Sequence, residues 1–162
     1  MAYSGKYKVK NKQKYNGDPT LVTYRSMWEK HAFSWCDSNP NIRSWSSEEV
    51  VVPYFWDVDK KMHRYFVDLK ITYTNGKTIL VEIKPDKETK LPKKPDKSRR
   101  YIGEAMTYVK NMNKWEAANA FAKDRGWSFE IWTEHTLQEM GIMKKPLKPL
   151  KPLKPYRKKS KK

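Results

Sequence analysis

The stretch of the chain that decides its fold is residues 64–84, RYFVDLKITYTNGKTILVEIK. Two runs rich in β-branched and aromatic residues, Arg64–Thr74 and Lys77–Lys84, flank Asn75-Gly76. Residues of this kind favour strands, and an Asn-Gly pair between two such runs is the strongest short-range signal for a β-hairpin. The sequence therefore predicts a central antiparallel hairpin over this stretch.

The length of the turn decides which side chains of the hairpin face one another. A two-residue loop would place Asp68 opposite Ile83, a charge opposite an apolar residue. A three-residue loop with a left-handed Gly76 would place Asp68 opposite Glu82, and we predict this register because only it satisfies the hydrophobic pattern. Alternation along the second strand then puts Glu82 and Lys84 on one face. In the first strand it puts Phe66 and Asp68 on one face and Tyr65, Val67, Leu69 and Ile71 on the other.

A helix is predicted before the hairpin, over Ser26–Cys36, where large apolar residues recur at helical spacing and Ser38–Asn41 supplies a stop. On a helical wheel Glu29 falls within the apolar arc. A carboxylate turned towards a core must be paired, protonated or bound to a metal ion. The hairpin beneath is the natural place for its partners.

Further elements follow from the same patterns. Glu49–Trp56 is predicted as a strand that Pro53 confines to an edge or an early ladder position, and Pro85–Arg100 as a solvated loop. The remaining predicted elements are a long helix over Tyr101–Arg125 with a Gly126 cap, a strand over Trp127–Thr133 and a short helix over Glu134–Met140. The long helix is predicted to bury Ile102, Ala105, Val109, Met112, Trp115, Ala118 and Phe121. This order predicts an α/β (α+β) fold, a mixed β-sheet with a central antiparallel hairpin flanked by helices.

The 162 residues suit one domain, predicted at 21–143, between a basic extended arm at 1–20 and a basic tail at 144–162. The single cysteine offers no disulfide framework or thiol zinc site. Because no apolar run approaches the roughly 20 residues that span a bilayer, and the first residues lack the apolar core of a signal peptide, we expect a soluble intracellular protein with no membrane partner.

The net charge of +17 points to a polyanionic partner. Ten basic residues and no acid lie from Lys144 to the end, and the other 143 residues still carry +7. Trp and Tyr interleaved with the basic residues can stack on bases or sugars. Nucleic acid binding follows, with a steep dependence on salt. Charge alone does not separate an enzyme from a packaging protein.

The tail repeats Lys-Pro-Leu from Lys145 to Pro155, and proline at every third position favours polyproline II, in which each residue type forms its own stripe. The lysine stripe would follow DNA phosphates. The leucine stripe would instead dock in a groove on a protein partner. A disordered tail that keeps the protein soluble is the third interpretation, and the sequence leaves all three open.

The predicted register brings two acids, Asp68 and Glu82, face to face, and they would repel one another unless a cation lies between them. Mg²⁺ suits such oxygen ligands and borrows further oxygens from phosphates, which points to phosphodiester hydrolysis. Lys84 would orient the attacking water, and Glu29 would complete the metal shell. The alternative is a solvated pair of Glu82 and Lys84, with Glu29 on the helix surface near Lys30 or Arg25.

Three segments carry a family resemblance: YRSMWE at 24–29, RYFVD at 64–68 and EIK at 82–84, with WSSEE at 45–49 between them. Together they resemble the PD-(D/E)XK nucleases, and most closely the phage head completion nucleases, relatives of the TnsA-type transposon endonucleases. The resemblance extends from about Met1 to Gly141. It implies a restriction-endonuclease-like fold in which Glu29, Asp68 and Glu82 are metal ligands and Lys84 is the catalytic lysine. Val67 stands where the superfamily name has proline, which is a minor departure because that residue contacts no metal.

The resemblance also implies a phage protein that acts late in head assembly, after DNA packaging and near the portal or neck, in the host cytoplasm or the virion. The prediction is a DNA endonuclease that uses Mg²⁺ or Mn²⁺ on double-stranded DNA. Its rivals are a non-enzymatic head protein that binds DNA and the portal, and an RNA-binding or ribosome-associated protein. The residues expected to contact DNA phosphates are Arg25, Arg64, Lys93, Lys94, Arg99, Arg100, Lys148, Lys151 and Lys154.

Overall fold

A computed structural model describes residues 3–93 and 98–146. The predicted DNA contacts at Lys94, Lys148, Lys151 and Lys154 lie outside these residues. The strands are β1 (Gly5–Lys6), β2 (Thr23–Tyr24), β3 (Ile42–Ser46), β4 (Val51–Trp56), β5 (Lys61–Phe66), β6 (Leu69–Tyr73), β7 (Thr78–Ile83) and β8 (Ser128–Trp132). The helices are α1 (Met27–Ser38), α2 (Arg99–Asp124) and α3 (Glu134–Glu139), with 3₁₀ turns at Lys12–Lys14 and Asp86–Thr89. No helix among the described residues is long and apolar enough to cross a membrane.

The centre of the fold is a four-stranded mixed sheet in the order β3-β6-β7-β8. β6 and β7 are antiparallel, and β8 joins β7 in parallel after the α2 crossover. Alternate residues of β7 enter two cores: Ile79, Val81 and Ile83 pack with α1, whereas Leu80 packs with α2. The predicted fold class, a mixed sheet with a central antiparallel hairpin flanked by helices, is confirmed.

The turn of the central hairpin has the predicted three-residue loop. Thr72 pairs with Thr78, the amide of Tyr73 donates to the carbonyl of Lys77 at 2.8 Å, and Gly76 has φ of +88°. A left-handed residue at the end of a three-residue loop matches the right-handed twist of the strands, which explains the glycine. Continuing this register places Asp68 opposite Glu82.

The first strand of the hairpin is not continuous, contrary to the prediction for Arg64–Thr74. It divides into β5 and β6 at Val67 and Asp68. The segment that pairs with it on the side away from β7 divides in the same way, with β4 paired to β5 and β3 paired to β6. Two backbone hydrogen bonds cross the break. The amide of Glu48 donates to the carbonyl of Val67 at 3.1 Å, and the amide of Val67 donates to the carbonyl of Val50 at 3.0 Å. The four strands therefore form one long hairpin that bends at residues 47–50 and 67–68. Glu48, with φ of +56°, supplies the left-handed step of the bend.

The bend also corrects the predicted faces of this strand. Tyr65 and Val67 pack in the core beneath α2, whereas Leu69 and Ile71 pack in the core beneath α1. Alternation holds only within a regular ladder, so the irregular backbone between β5 and β6 moves the later residues to the other face.

β3 was absent from the sequence prediction because its two apolar residues, Ile42 and Trp45, show no alternation. Pro53 lies in β4, whose ladder partner among the described residues is β5 alone, as expected for an edge position.

Residues 3–20 are packed on the domain and do not extend as an arm. Tyr7, Val9 and Tyr15 are buried in the core beneath α1, and Tyr7 and Tyr15 each meet the ring of Trp45 edge-on. The many lysines of this segment favoured an extended arm, but its spaced apolar side chains allow it to pack on the core. The boundaries given for the domain and the tail stay predictions.

The bounds of the predicted helices agree with α1, α2 and α3 to within a few residues. The predicted apolar face of α2 is wrong in its first half, where Ile102, Val109 and Met112 are 55%, 46% and 43% exposed. The buried residues of α2 are Asn111, Trp115, Ala118 and Ala122. The apolar residues of α2 that are buried over the sheet begin at Trp115, and among the described residues no strand covers the apolar side chains from Ile102 to Met112.

Candidate active site

Asp68 lies at the bend of the long hairpin, between β5 and β6. Its Oδ2 accepts a hydrogen bond of 2.8 Å from the amide of Ile83, which fixes the carboxylate against β7. Burial raises the pKa of Asp68 well above its usual range, and the neighbouring carboxylates of Glu82 and Glu29 raise it further. A carboxylate in this setting favours a bound proton or a bound cation.

Glu82 lies on β7, on the face covered by α2, and its residue is 7% exposed. The hydroxyl of Tyr65 donates to its Oε2, and the Nζ of Lys84 lies 3.8 Å from its Oε1. Burial raises the pKa of Glu82, while Tyr65 and Lys84 oppose that rise. The two hairpin acids act on one another: Glu82 helps to raise the pKa of Asp68, and Asp68 opposes the rise in the pKa of Glu82. The hairpin thus holds two acids together with a single lysine as their ion-pair partner within the described part of the chain.

Glu29 occupies the first turn of α1, where it has a structural task. The side chain of Ser26 caps the helix by accepting a 3.2 Å hydrogen bond from the amide of Glu29. The Glu29 carboxylate in turn accepts a hydrogen bond from the amide of Arg25. This arrangement resembles a capping box shifted by one residue. Burial raises the pKa of Glu29. Helix capping therefore explains in part why an acid lies in the apolar arc. Within the described residues no hydrogen bond is made to the other carboxylate oxygen, Oε1, which is available to another ligand.

One cavity of about 590 Å³ brings all four predicted catalytic residues together. Its lining includes Glu29, Asp68, Glu82 and Lys84. α1 contributes the first, the bend the second and β7 the third, and Lys84 follows directly after β7. Lys84 is fixed where β7 ends, since its amide donates to the carbonyl of Trp132 at 3.0 Å.

The carboxylates of Glu29, Asp68 and Glu82 do not all converge on one point of this cavity, which Glu88 also lines. In the described ranges, the one trio of ligand side chains whose ligand atoms all lie within 4.8 Å of one another is Asp86, Glu134 and His135. That trio lies just beyond Lys84, where the carboxylate of Glu134 accepts the amide of Asp86 at 3.2 Å. In the cavity itself, the charges of both Glu82 and Glu29 act on Asp68.

The predicted DNA contacts occupy different surroundings. Arg25 lines the cavity, but its Nε donates to Glu48 at 2.7 Å and its Nη2 to the other oxygen at 3.2 Å. Arg64 is exposed on β5, with its guanidinium 5.8 Å from the centre of the Phe66 ring. Lys93, Arg99 and Arg100 surround a second cavity of about 990 Å³ beside the start of α2. Their contact with DNA stays a prediction.

Sequence reasoning missed three residues around the site. Tyr65 was assigned to the wrong face because the bend was not foreseen. Glu48, which pairs with Arg25, lies in the quoted WSSEE segment, but its partner could not be read from the sequence. Lys114 of α2 interacts electrostatically with Glu82 and Asp68, and no local pattern distinguishes it from other helical lysines.

Comparison with known proteins agrees with this geometry. A family model described as TnsA-like endonuclease N terminal matches residues 39–134. This match includes the bend, both hairpin acids and Lys84, while Arg25 and Glu29 precede it. The chain is also 45% identical over 147 residues to the head completion nuclease of Enterobacteria phage T4, covering 88% of this chain and 98% of that protein. The restriction-endonuclease-like arrangement of sheet, bend and acids, with these two matches, shows that the chain belongs to the TnsA-like endonuclease family.

Proposed function

We propose that the chain is a metal-dependent DNA endonuclease of the PD-(D/E)XK type, with Glu29, Asp68, Glu82 and Lys84 as its active site. The observation that carries the proposal is the meeting of Asp68 and Glu82. The three-residue turn sets Asp68 opposite Glu82 in the hairpin register, and both acids line one cavity. The ammonium of Lys84 lies 3.8 Å from Glu82. A buried acid and a half-buried acid that face one another are costly unless a cation joins them.

The residues of the cavity fit a hard divalent cation such as Mg²⁺ or Mn²⁺. Such ions take carboxylate oxygens, and Mg²⁺ commonly uses one or two protein carboxylates together with waters and substrate phosphates. Asp68 and Glu82 would hold the ion, and the remaining oxygen of Glu29 would face it from α1. When bound, the ion supplies Lewis acidity at the phosphate and lowers the pKa of water.

The protein's own groups would position the other reactants. Lys84 would donate to the attacking water and offset negative charge that develops on the phosphate. Tyr65 would hold Glu82 in one orientation, as the amide of Ile83 holds Asp68. In the reaction the water oxygen bonds to phosphorus and one phosphorus–oxygen bond of the backbone breaks. The products are a phosphate end and a hydroxyl end, with no change of oxidation state.

The biological setting is proposed from the relative, which is named a head completion nuclease. With 45% identity over nearly the whole of that protein, we infer the same role in phage head completion for this chain. Double-stranded DNA is the proposed substrate, and portal or neck proteins are the proposed partners. The host cytoplasm and the virion are the compartments in which such a protein would act.

Plasmid cleavage with Mg²⁺, Mn²⁺ or EDTA tests the proposal. The wild-type protein should nick or cut with either metal and not with EDTA. Glu82→Ala and Lys84→Ala should each abolish cleavage but keep salt-sensitive DNA binding, because DNA is held largely by other basic residues. Glu130→Ala is the matched control: it removes an exposed acid from the adjacent strand β8 and should cut normally.

Three outcomes would contradict the proposal. Cleavage that survives both Glu82→Ala and Lys84→Ala would show that the active site lies elsewhere. Metal-independent DNA binding without any cleavage by the wild-type protein would favour a non-enzymatic head protein. Stronger binding to RNA than to duplex DNA would point to the RNA-binding alternative.

A further inference from the structure

Lys114 lies on α2 above the face of the sheet that carries Glu82. Its Nζ is 5.7 Å from the centre of the Tyr65 ring, and the hydroxyl of that ring donates to Glu82. The side chain therefore approaches the carboxylates from the helix side, whereas Lys84 approaches along β7.

The ammonium of Lys114 is half-buried yet lacks an anionic partner in the described part of the chain. None of the ion pairs within 4.0 Å and none of the hydrogen bonds found there involves it, although Glu82 and Asp68 interact with it over a longer range. Burial lowers the pKa of Lys114, and the positive charges of Lys84 and Lys110 lower it further. A desolvated cation without a close counter-ion is unfavourable, so this position suits an anion that arrives from outside the protein.

The charge balance of the cavity indicates which anion this is. When all are ionised, the four acids and two bases that line the cavity, together with Lys114 from α2, carry one net negative charge; the lining groups are Glu29, Asp68, Glu82, Glu88, Arg25 and Lys84. A divalent cation reverses this to one net positive charge. A phosphodiester group carries a single negative charge, and it would neutralise the set. Without Lys114 the metal-loaded site would be neutral before DNA arrives.

We propose that Lys114 is a second cationic residue of the active site, which contacts a non-bridging oxygen of the scissile phosphate and stabilises the charge that builds there during cleavage. This inference rests on the proposed nuclease function. Lys84 and Lys114 would then flank the phosphate from two elements, β7 and α2. Lys114 keeps its proton throughout, and its contribution is electrostatic.

Lys110 provides a matched control within the same helix. It lies about one turn before Lys114, is also half-buried, and its Nζ is likewise 5.7 Å from an aromatic ring, that of Trp56. Replacing either lysine by methionine removes one positive charge from α2 and keeps most of the apolar stem. The two variants differ in the distance of the lost charge from Glu82.

The experiment is single-turnover cleavage of a short DNA duplex at saturating protein, with Mg²⁺, alongside DNA affinity measured in EDTA. Lys114→Met should slow cleavage about 100-fold, the usual effect of removing one donor that acts on transition-state charge. Its affinity in EDTA should weaken no more than that of Lys110→Met. Lys110→Met should cut at the wild-type rate, and Lys114→Arg should recover part of the lost rate.

Equal cleavage rates for Lys114→Met and Lys110→Met would overturn the inference. A rate loss in Lys114→Met that appears only below saturating protein would also overturn it, because it would reflect weaker DNA binding. Thermal unfolding checks that the variants fold, and Lys114→Gln replaces Lys114→Met in the same comparison if methionine is not tolerated. If wild type cuts, Glu82→Ala does not, and both Lys114 variants cut normally, only this inference fails. If wild type does not cut, the proposed function fails and this inference with it.

Discussion

At the scale of single residues, Asp68 shows how the site is held at a cost to the fold. Its carboxylate is fixed by the amide of Ile83 and lies beside Glu82 and Glu29. The pKa of Asp68 is raised chiefly by burial and then by these two acids. In the unfolded chain the group has an ordinary pKa of about 4. The folded state therefore binds a proton more tightly than the unfolded state does.

This difference predicts that Asp68→Asn stabilises the metal-free protein at neutral pH. An asparagine oxygen can still accept the Ile83 amide, but it carries no charge to repel Glu82. For wild type, stability should fall as the pH rises from about 4 through the raised pKa of Asp68, because folding then costs the ionised group its solvent. The variant should lose less stability over that range. Thermal unfolding in EDTA between pH 4 and pH 8 measures this.

The advantage of Asp68→Asn should shrink towards pH 4, where Asp68 is protonated in the folded protein. Added Mg²⁺ should raise the unfolding temperature of wild type more than that of the variant, since the variant has lost a ligand. A variant less stable than wild type in EDTA at pH 8 would mean that Asp68 is not strained by its neighbours.

At the scale of elements, the N-terminal segment is attached to α1 by one buried acid. Asp37 is 1% exposed. Its carboxylate accepts three hydrogen bonds: from the Tyr7 hydroxyl at 3.1 Å, from the Lys10 amide at 2.7 Å and from the Asn11 amide at 3.0 Å. These bonds hold residues 7–11 against the helix. They also position Tyr7 in the core beside Phe33, with ring centres 5.7 Å apart.

Asp37→Ala should therefore lower the free energy of unfolding by about 3 kcal/mol, since buried donors to a charged acceptor lose their partner. Chemical denaturation measures the loss, and limited trypsin digestion should cut first near Lys10, Lys12 and Lys14. Asp124→Ala is the control at an exposed acid at the end of α2 and should change stability by less than about 0.5 kcal/mol. Unchanged stability and unchanged protection of residues 7–14 in Asp37→Ala would show that the segment is held by its apolar contacts alone.

At the scale of the whole molecule, the charge of +17 is divided between the domain and the tail. The three interpretations of the Lys-Pro-Leu repeat make different predictions for DNA binding. If Lys148, Lys151 and Lys154 contact phosphates, a chain that ends at Met143 should bind DNA with a shallower dependence on salt. Each lost contact reduces the slope of log affinity against log salt by about 0.9, so the slope should fall by about 2 to 3.

A second variant separates the charge of the tail from its leucines. Replacing Leu147, Leu150 and Leu153 by serine keeps every lysine, so DNA affinity and its salt slope should match those of wild type. An unchanged slope after truncation would exclude the phosphate-contact interpretation. If truncation leaves the slope unchanged, the leucines and a protein partner, or solubility alone, would account for the tail.

Much of the fold followed from local patterns. The turn around Gly76, the positions of α1, α2 and α3 and the strand after Gly126 are each specified by residues that lie next to one another in the chain. The errors arose where a distant element decided the outcome. Tyr65 changed face because the hairpin bends over α2, and Ile102 is exposed because no part of the sheet reaches the start of that helix.

The sequence by itself determined the central hairpin, its register and the order of the elements, because turn geometry and side-chain alternation act over a few residues. It also placed Glu82 and Lys84 on one face and Glu29 on the inner side of a helix. Only the tertiary structure decided that Asp68 lies at a bend, that Tyr65 supports Glu82 and that Lys114 approaches the same carboxylate. Those relations join β5, β7 and α2 across many residues of chain, and they exist only once the two cores have packed against the sheet.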